Sequence, residues 1–184
     1  MRASRVTVFD LSGKVPGILT TILLVLCVQL APTSAVSQTP PPLAPQDMAM
    51  TMSGSFTLVS VGDLILRTPL SQSADEDVQA ALRIIRDGDV AFGNLEGNLV
   101  DFRTYRGLLS GFVGSAEAAR DLRPMGFDLV NRANNHLFDS EAEGMFETNR
   151  LLDEAGIIHA GSGRNLDEAA APAYLETPKG RVAL

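Results

Sequence analysis

Between residues 56 and 160 the chain alternates short apolar runs with stretches of helical period, and that alternation restricts the fold more than any other feature. Strands are predicted over Phe56–Val61, Asp89–Phe92, Phe127–Val130 and Ile157–Ala160. Helices are predicted over Asp75–Arg86, where Val78, Ala81, Leu82 and Ile85 share a face, and over Ser115–Arg123, with Ser115 as N-cap. Glu141–Ala155 is a third helix, stopped by Gly156, and Leu166–Ala170 a short fourth. Residues 97–113 read as a long loop. Ala173–Glu176 and Arg181–Leu184, around Pro178-Lys179-Gly180, read as a hairpin opening. The class is α/β, with a mixed or parallel sheet and flanking helices.

Residues 1–54 differ in character. Arg2, Arg5 and Lys14 precede the apolar run Gly17–Leu30, and Thr33-Ser34-Ala35 follows it, so residues 1–35 read as a signal peptide or as an uncleaved membrane anchor. Either way the rest is expected outside the cytoplasm: periplasmic, extracellular, or held at the outer face of the cytoplasmic membrane. Residues 36–54, with Thr39-Pro40-Pro41-Pro42 and Pro45, read as a disordered linker. Residues 55–184 form the folding unit. Because Arg181–Leu184 opens an apolar strand with nothing after it, that unit is expected to be the N-terminal portion of a longer domain. The single cysteine, Cys27, lies in the apolar run, which removes disulfides and thiolate metal sites from residues 36–184. A net charge of −7 without any basic cluster excludes nucleic acid as a partner.

Polar residues collect where the predicted strands end, which is where open α/β sheets bind ligands. Asp63 follows the first strand, Asn94 and Glu96 the second, and Asn134, Asn135, His136 and Asp139 the third. Carboxylate and amide oxygens suit hard or borderline divalent cations, and a neighbouring imidazole can protonate a leaving group. Each residue also has a plainer reading: Asp63 as a turn cap, Glu96 as a solvated loop acid, Asn134-Asn135 as turn residues, His136 as a helix cap. Asp139 either supports His136 or caps the helix after it. Gly161, Gly163 and Arg164 offer backbone N–H groups and a guanidinium to an anion, or else form a strand-to-helix turn that needs glycine. His159 reads as packing.

Taken in order, Gly62-Asp63-Leu64-Ile65-Leu66-Arg67, Asn94-Leu95-Glu96-Gly97, Gly126-Phe127-Asp128, Ala133-Asn134-Asn135-His136 with Asp139, and Gly161-Ser162-Gly163-Arg164-Asn165 resemble the bacterial CapA family of poly-γ-glutamate capsule-synthesis proteins. The resemblance spans roughly residues 56–184. It implies the N-terminal part of a calcineurin-like metallophosphoesterase sandwich, in an exported protein that assembles or exports a capsular polymer. It also implies one or two divalent ions (manganese, zinc or iron) on Asp63, Glu96 and Asn135, with His136 acting on the leaving group and Asn94, Asn134 and Asp139 in support. The implied partners are an anionic polymer or phosphorylated small molecule and membrane-bound export proteins. A non-enzymatic polymer- or partner-binding cleft is the alternative. Two departures stand out: Ile65 occupies the place of the histidine in the Asp-x-His pair of such enzymes, and the histidines their C-terminal halves supply are not in this chain. The chain by itself is therefore expected to be inactive.

Overall fold

A computed structural model describes residues 54–184. The expected signal or anchor segment and nearly all of the linker, residues 1–53, lie outside the described residues. In chain order the elements are β1 (Leu58–Leu64), α1 (Glu76–Arg86), β2 (Val90–Leu95), β3 (Asn98–Val100), β4 (Val113–Ser115), α2 (Ala116–Met125), β5 (Leu129–Asn131), α3 (Glu141–Ala155), β6 (Ile158–Ala160), α4 (Leu166–Ala170), β7 (Tyr174–Thr177) and β8 (Gly180–Ala183). Four strands, ordered β1-β2-β5-β6 and all parallel, make the central sheet. The expected α/β class holds, in its parallel form. Among the described residues the other sheets are the parallel pair β3-β4 and the antiparallel hairpin β7-β8.

The helices start and stop where local chemistry directs. Asp75 caps α1 by accepting from the Asp77 and Val78 amides, and Ser115 caps α2 by accepting from the Ala118 amide. Gly126, at φ +108°, closes α2, and Gly156, at φ +68°, closes α3. α2 packs between α1 and α3. Leu82 and Ile85 of α1, Ala118, Ala119, Leu122 and Met125 of α2, and Leu151 and Leu152 of α3 meet Leu64, Ala91, Leu95 and Val130 of the sheet in one core. Burying such side chains contributes roughly 1.5–3 kcal/mol each before entropy is counted. No helix among the described residues is long and apolar enough to cross a membrane.

Two expectations are corrected. Residues 97–113 are not one long loop, because their ends carry β3 and the start of β4. These strands have three residues each, too short to show a period of two, and β3 is held by tertiary contact instead. The buried Thr148 hydroxyl of α3 accepts from the Leu99 amide at 2.9 Å and lies 3.1 Å from the Leu99 carbonyl and 2.7 Å from that of Gly144. The third central strand begins at Leu129 rather than Phe127. The Phe127 amide still closes α2 by donating to Leu122 at 3.0 Å, and its side chain drops into the core. Thr148→Val, which strands the Leu99 amide, is expected to lower unfolding stability by about 1–3 kcal/mol in urea titrations, while the exposed Thr68→Val stays within about 0.5 kcal/mol.

Candidate functional site

A one-residue bulge in β1 decides which side chain reaches the functional edge. Ser60 lies opposite Phe92 and Asp63 opposite Asn94, so β1 advances three residues while β2 advances two. Without the extra residue, Gly62 would face Asn94. Bulges re-aim side chains in this way. Asn94 in turn lies opposite Asn131 of β5. The result is a polar row across three neighbouring strands. Asn94 Nδ2 donates to Asp63 Oδ1 at 2.8 Å, and Asn131 Nδ2 donates to Asn94 Oδ1 at 2.8 Å. Asn134 Nδ2 adds a second bond to Asn94 Oδ1 at 3.1 Å.

Glu96, one residue past β2, lies within hydrogen-bonding reach of Asp63. Each carboxylate disfavours the charge of the other. Burial first, and then Asp63, push the Glu96 carboxyl up. The Asn94 amide first, and then Glu96, hold Asp63 below the usual carboxylate range. On its other side Glu96 Oε1 lies 3.5 Å from His136 Nε2, and His136 Nδ1 meets Asp139 Oδ2 at 2.6 Å. That bond to Asp139 is the main reason the imidazole is raised above its ordinary value, against the opposing effect of burial. Asp139, His136, Glu96, Asp63, Asn94 and Asn131 thus form one continuous chain of polar contacts.

Of the sequence-derived candidates, the structure brings together Asp63, Asn94, Glu96, Asn134, His136 and Asp139. Asn135 is exposed, and its side chain makes no hydrogen bond within this cluster among the described residues. Asn134 is the amide that faces inward, also donating to the Leu95 carbonyl at 2.9 Å and accepting from the His136 amide at 3.1 Å. The anion cradle at Gly161, Gly163 and Arg164 is corrected to a turn. The Arg164 amide donates to Glu168 at 2.8 Å and its guanidinium pairs with the same carboxylate, so the chain's own acid occupies these donors. Gly161 is needed because a Cβ there would lie 2.6 Å from the Ala133 nitrogen, and Gly163 because one would lie 2.4 Å from Glu168 Cβ. His159 is half-buried and contacts Asp153 at 3.1 Å, away from the cluster.

Sequence reasoning missed four residues. Asn131 enters the row only through the register of β5 on β2. Arg132 is wholly buried beneath the edge. Phe112 lays its ring on His136, centroids 4.6 Å apart at 54°, and Gly111 fits against Asp139. The one available signal was Val130-Asn131-Arg132, where polar residues continue directly from a strand.

The donor set fits a hard divalent cation. A cation between Asp63 and Glu96 would offset the repulsion between the two carboxylates. No three His, Cys, Asp or Glu side chains among the described residues converge on one metal position. Amide or water oxygens would have to complete the shell around the carboxylate pair.

The bacterial capsule synthesis protein family, PGA_cap, matches residues 57–184. Two proteins of Sinorhizobium fredii (strain NBRC 101917 / NGR234), y4sH and y4uA, are each 43% identical over 135 residues, covering 70% of this chain and 29% of theirs. The capsule biosynthesis protein CapA of Bacillus anthracis is 25% identical over 137 residues, covering 70% of this chain and 33% of its own. The chain thus spans a third or less of the length of these relatives.

A Cβ on Gly111, which sits at φ +67°, would lie 1.8 Å from Asp139 Oδ2. Gly111→Ala must therefore push Asp139 off His136. Since Asp139 stabilises the imidazolium, both Gly111→Ala and Asp139→Asn are expected to lower the His136 pKa in NMR titrations of chelator-treated protein.

Proposed function

The chain belongs to the bacterial capsule synthesis protein family, and we propose that its sheet-edge site binds a divalent cation and cleaves or transfers a phosphate ester as a capsular polymer such as poly-γ-glutamate is assembled or exported. The observation that carries this reading is the meeting of Asp63 and Glu96 at one strand edge, directly beside the His136–Asp139 pair. The family's description and the likeness to CapA support the capsular setting.

The residues divide the work by their chemistry. Asp63 and Glu96 hold the cation, and the exposed Asn135 amide is free to add an oxygen from the solvent side. Carboxylate and amide donors favour manganese or magnesium over softer ions such as zinc, with iron between. When bound, such an ion supplies charge neutralisation at phosphoryl oxygens and lowers the pKa of an attacking water. Asn94 and Asn131 keep Asp63 ionised and pointed at the edge. His136 presents Nε2, the nitrogen not engaged by Asp139, as the proton donor to a leaving oxygen. Asp139 fixes the tautomer and favours the protonated ring. Export by the N-terminal apolar stretch, an anionic polymer or phosphorylated small molecule as ligand, and docking to membrane-bound export proteins belong to the same proposal.

The test is manganese binding and phosphodiester turnover by the intact protein. Asp63→Ala and Glu96→Gln are expected to abolish both. His136→Ala is expected to lower turnover by about 10²–10⁴ while manganese affinity stays within a few-fold. Turnover unchanged in Asp63→Ala would defeat the hydrolytic reading. Binding without turnover would make the cleft a polymer- or partner-binding one.

A further inference from the structure

Arg132 is the largest side chain in the fully buried interior, with no exposed surface. Burial lowers its pKa to about 10, so it is still a cation at neutral pH. A buried guanidinium normally answers a carboxylate, yet all the bonds this one makes go to neutral oxygens. Nη1 donates to the Leu95 carbonyl at 3.0 Å and the Gly97 carbonyl at 2.6 Å, and Nη2 to Asn98 Oδ1 at 3.1 Å. Nε has no partner. Every acceptor lies within residues 95–98, and the two carbonyls are those on either side of Glu96.

Other contacts finish the same clamp. The Glu96 amide donates to the Leu64 carbonyl at 3.2 Å, next to Asp63, and Asn134 Nδ2 gives the Leu95 carbonyl its second donor at 2.9 Å. Gly97, at φ +91°, turns the chain where a Cβ would lie 2.2 Å from the Phe112 carbonyl. The Leu95–Glu96 peptide is thus held at both its carbonyl and its amide, and the Gly97–Asn98 peptide at its carbonyl, just where a strand end would ordinarily fray. An apolar side chain in its place would leave the Leu95 and Gly97 carbonyls and Asn98 Oδ1 without these donors and so free the turn that carries Glu96.

We propose that Arg132 is a positioning residue for Glu96: its planar fork fastens the peptide carbonyls on both sides of that carboxylate and so sets it between Asp63 and His136. For cation binding the proposal rests on the site reading above, while the placement of Glu96 can be read without any metal. Groups that orient a metal ligand typically change affinity by about 10–100-fold when removed.

The experiment compares Arg132→Lys, Glu96→Gln and the double variant in the intact protein. Manganese affinity is read by electron paramagnetic resonance, and the His136 Nε2 chemical shift is read at fixed pH in metal-free protein. Arg132→Lys keeps the charge but replaces the planar fork with a single nitrogen on a flexible stem, which cannot hold the Leu95 and Gly97 carbonyls and Asn98 Oδ1 in the fork's geometry. It is expected to weaken manganese binding about 10–100-fold and to move the Nε2 shift toward that of Glu96→Gln. Adding it to Glu96→Gln should move the Nε2 shift no further. An unmoved Nε2 shift in Arg132→Lys, or a displacement repeated in full on top of Glu96→Gln, overturns the proposal. If Asp63→Ala leaves manganese binding intact, the cation reading falls while the Nε2 shift still decides the role of Arg132. Should Arg132→Lys not fold, Arg132→Gln, which removes the fork at the same position, is expected to move the same shift; no movement there overturns the proposal as well.

Discussion

The parallel register of β1, β2 and β5 is the constraint on which the rest of this edge depends. Parallel strands place residues of equal register side by side with their side chains on the same face, so Asp63, Asn94 and Asn131 form a row without any loop having to carry them there. The row is stitched by two hydrogen bonds of 2.8 Å: Asn94 donates through Nδ2 to Asp63 and accepts through Oδ1 from Asn131. A row of three acids would repel itself, and a row of three apolar residues would offer no donors. One acid followed by two amides keeps a single charge at the end of the row, next to Glu96. The β1 bulge is what makes this possible, since a regular strand would have put Gly62 in that place.

From that charge outward the electrostatics alternate. Asp63 is ionised because Asn94 donates to it, Glu96 resists ionisation because it is desolvated beside Asp63, and His136 favours the cationic form because Asp139 holds it. Adjacent groups whose environments push their proton affinities in opposite directions are the usual arrangement where protons or cations are exchanged. Arg132 adds a buried positive charge whose three bonds hold the turn on which Glu96 sits. The shallow surface cavity of about 700 Å³ between Thr104–Gly107 and α3 has no comparable organisation. Arg150 there is committed to Glu147 and Glu154.

Much of this was legible in the sequence, for identifiable reasons. Asp63, Glu96, His136 and Asp139 stand out because each lies at or just beyond an apolar run of strand length, and the ends of parallel strands share one edge, although β1 runs on to Leu64 and so includes Asp63. The helices were legible because Asp75 and Ser115 are good caps and Gly126 and Gly156 good stops. Asn131 was hidden because its role depends on register, a relation between segments that no local pattern encodes. Arg132 was hidden because a charged residue after a strand reads as solvated, and only the surrounding carbonyls of residues 95–98 make its burial tolerable. β3 was hidden because Thr148, forty-nine residues away, supplies the bond that orders it. Asn134 and Asn135 could not be told apart by type, and only the backbone decides that the first faces inward.

The two sides of the edge are not equally fixed. Around His136 the chain is held tightly: Phe112 covers the ring, Gly111 abuts Asp139, and the buried Ser140 exchanges hydrogen bonds with Ser110 at 3.2 and 3.3 Å. The same clamp accounts for Glu141, a non-glycine residue at φ +57° that begins α3. Left-handed geometry there costs about 1–2 kcal/mol, and Ser140 makes no side-chain cap to offset it. The conformation persists because Ser110 and the Tyr105 hydroxyl, which donates to the Ser140 carbonyl at 3.3 Å, determine where Ser140 must lie. Local strain is thus accepted to keep Asp139 on His136. On the other side Asp63 is exposed on an edge strand, with its carboxylate tied only through Asn94 and Glu96. On the proposed reading the asymmetry has a use: a proton donor gains from such rigidity, because its geometry must be set before charge develops, whereas a carboxylate that takes a cation must stay accessible, as Asp63 is on its edge strand.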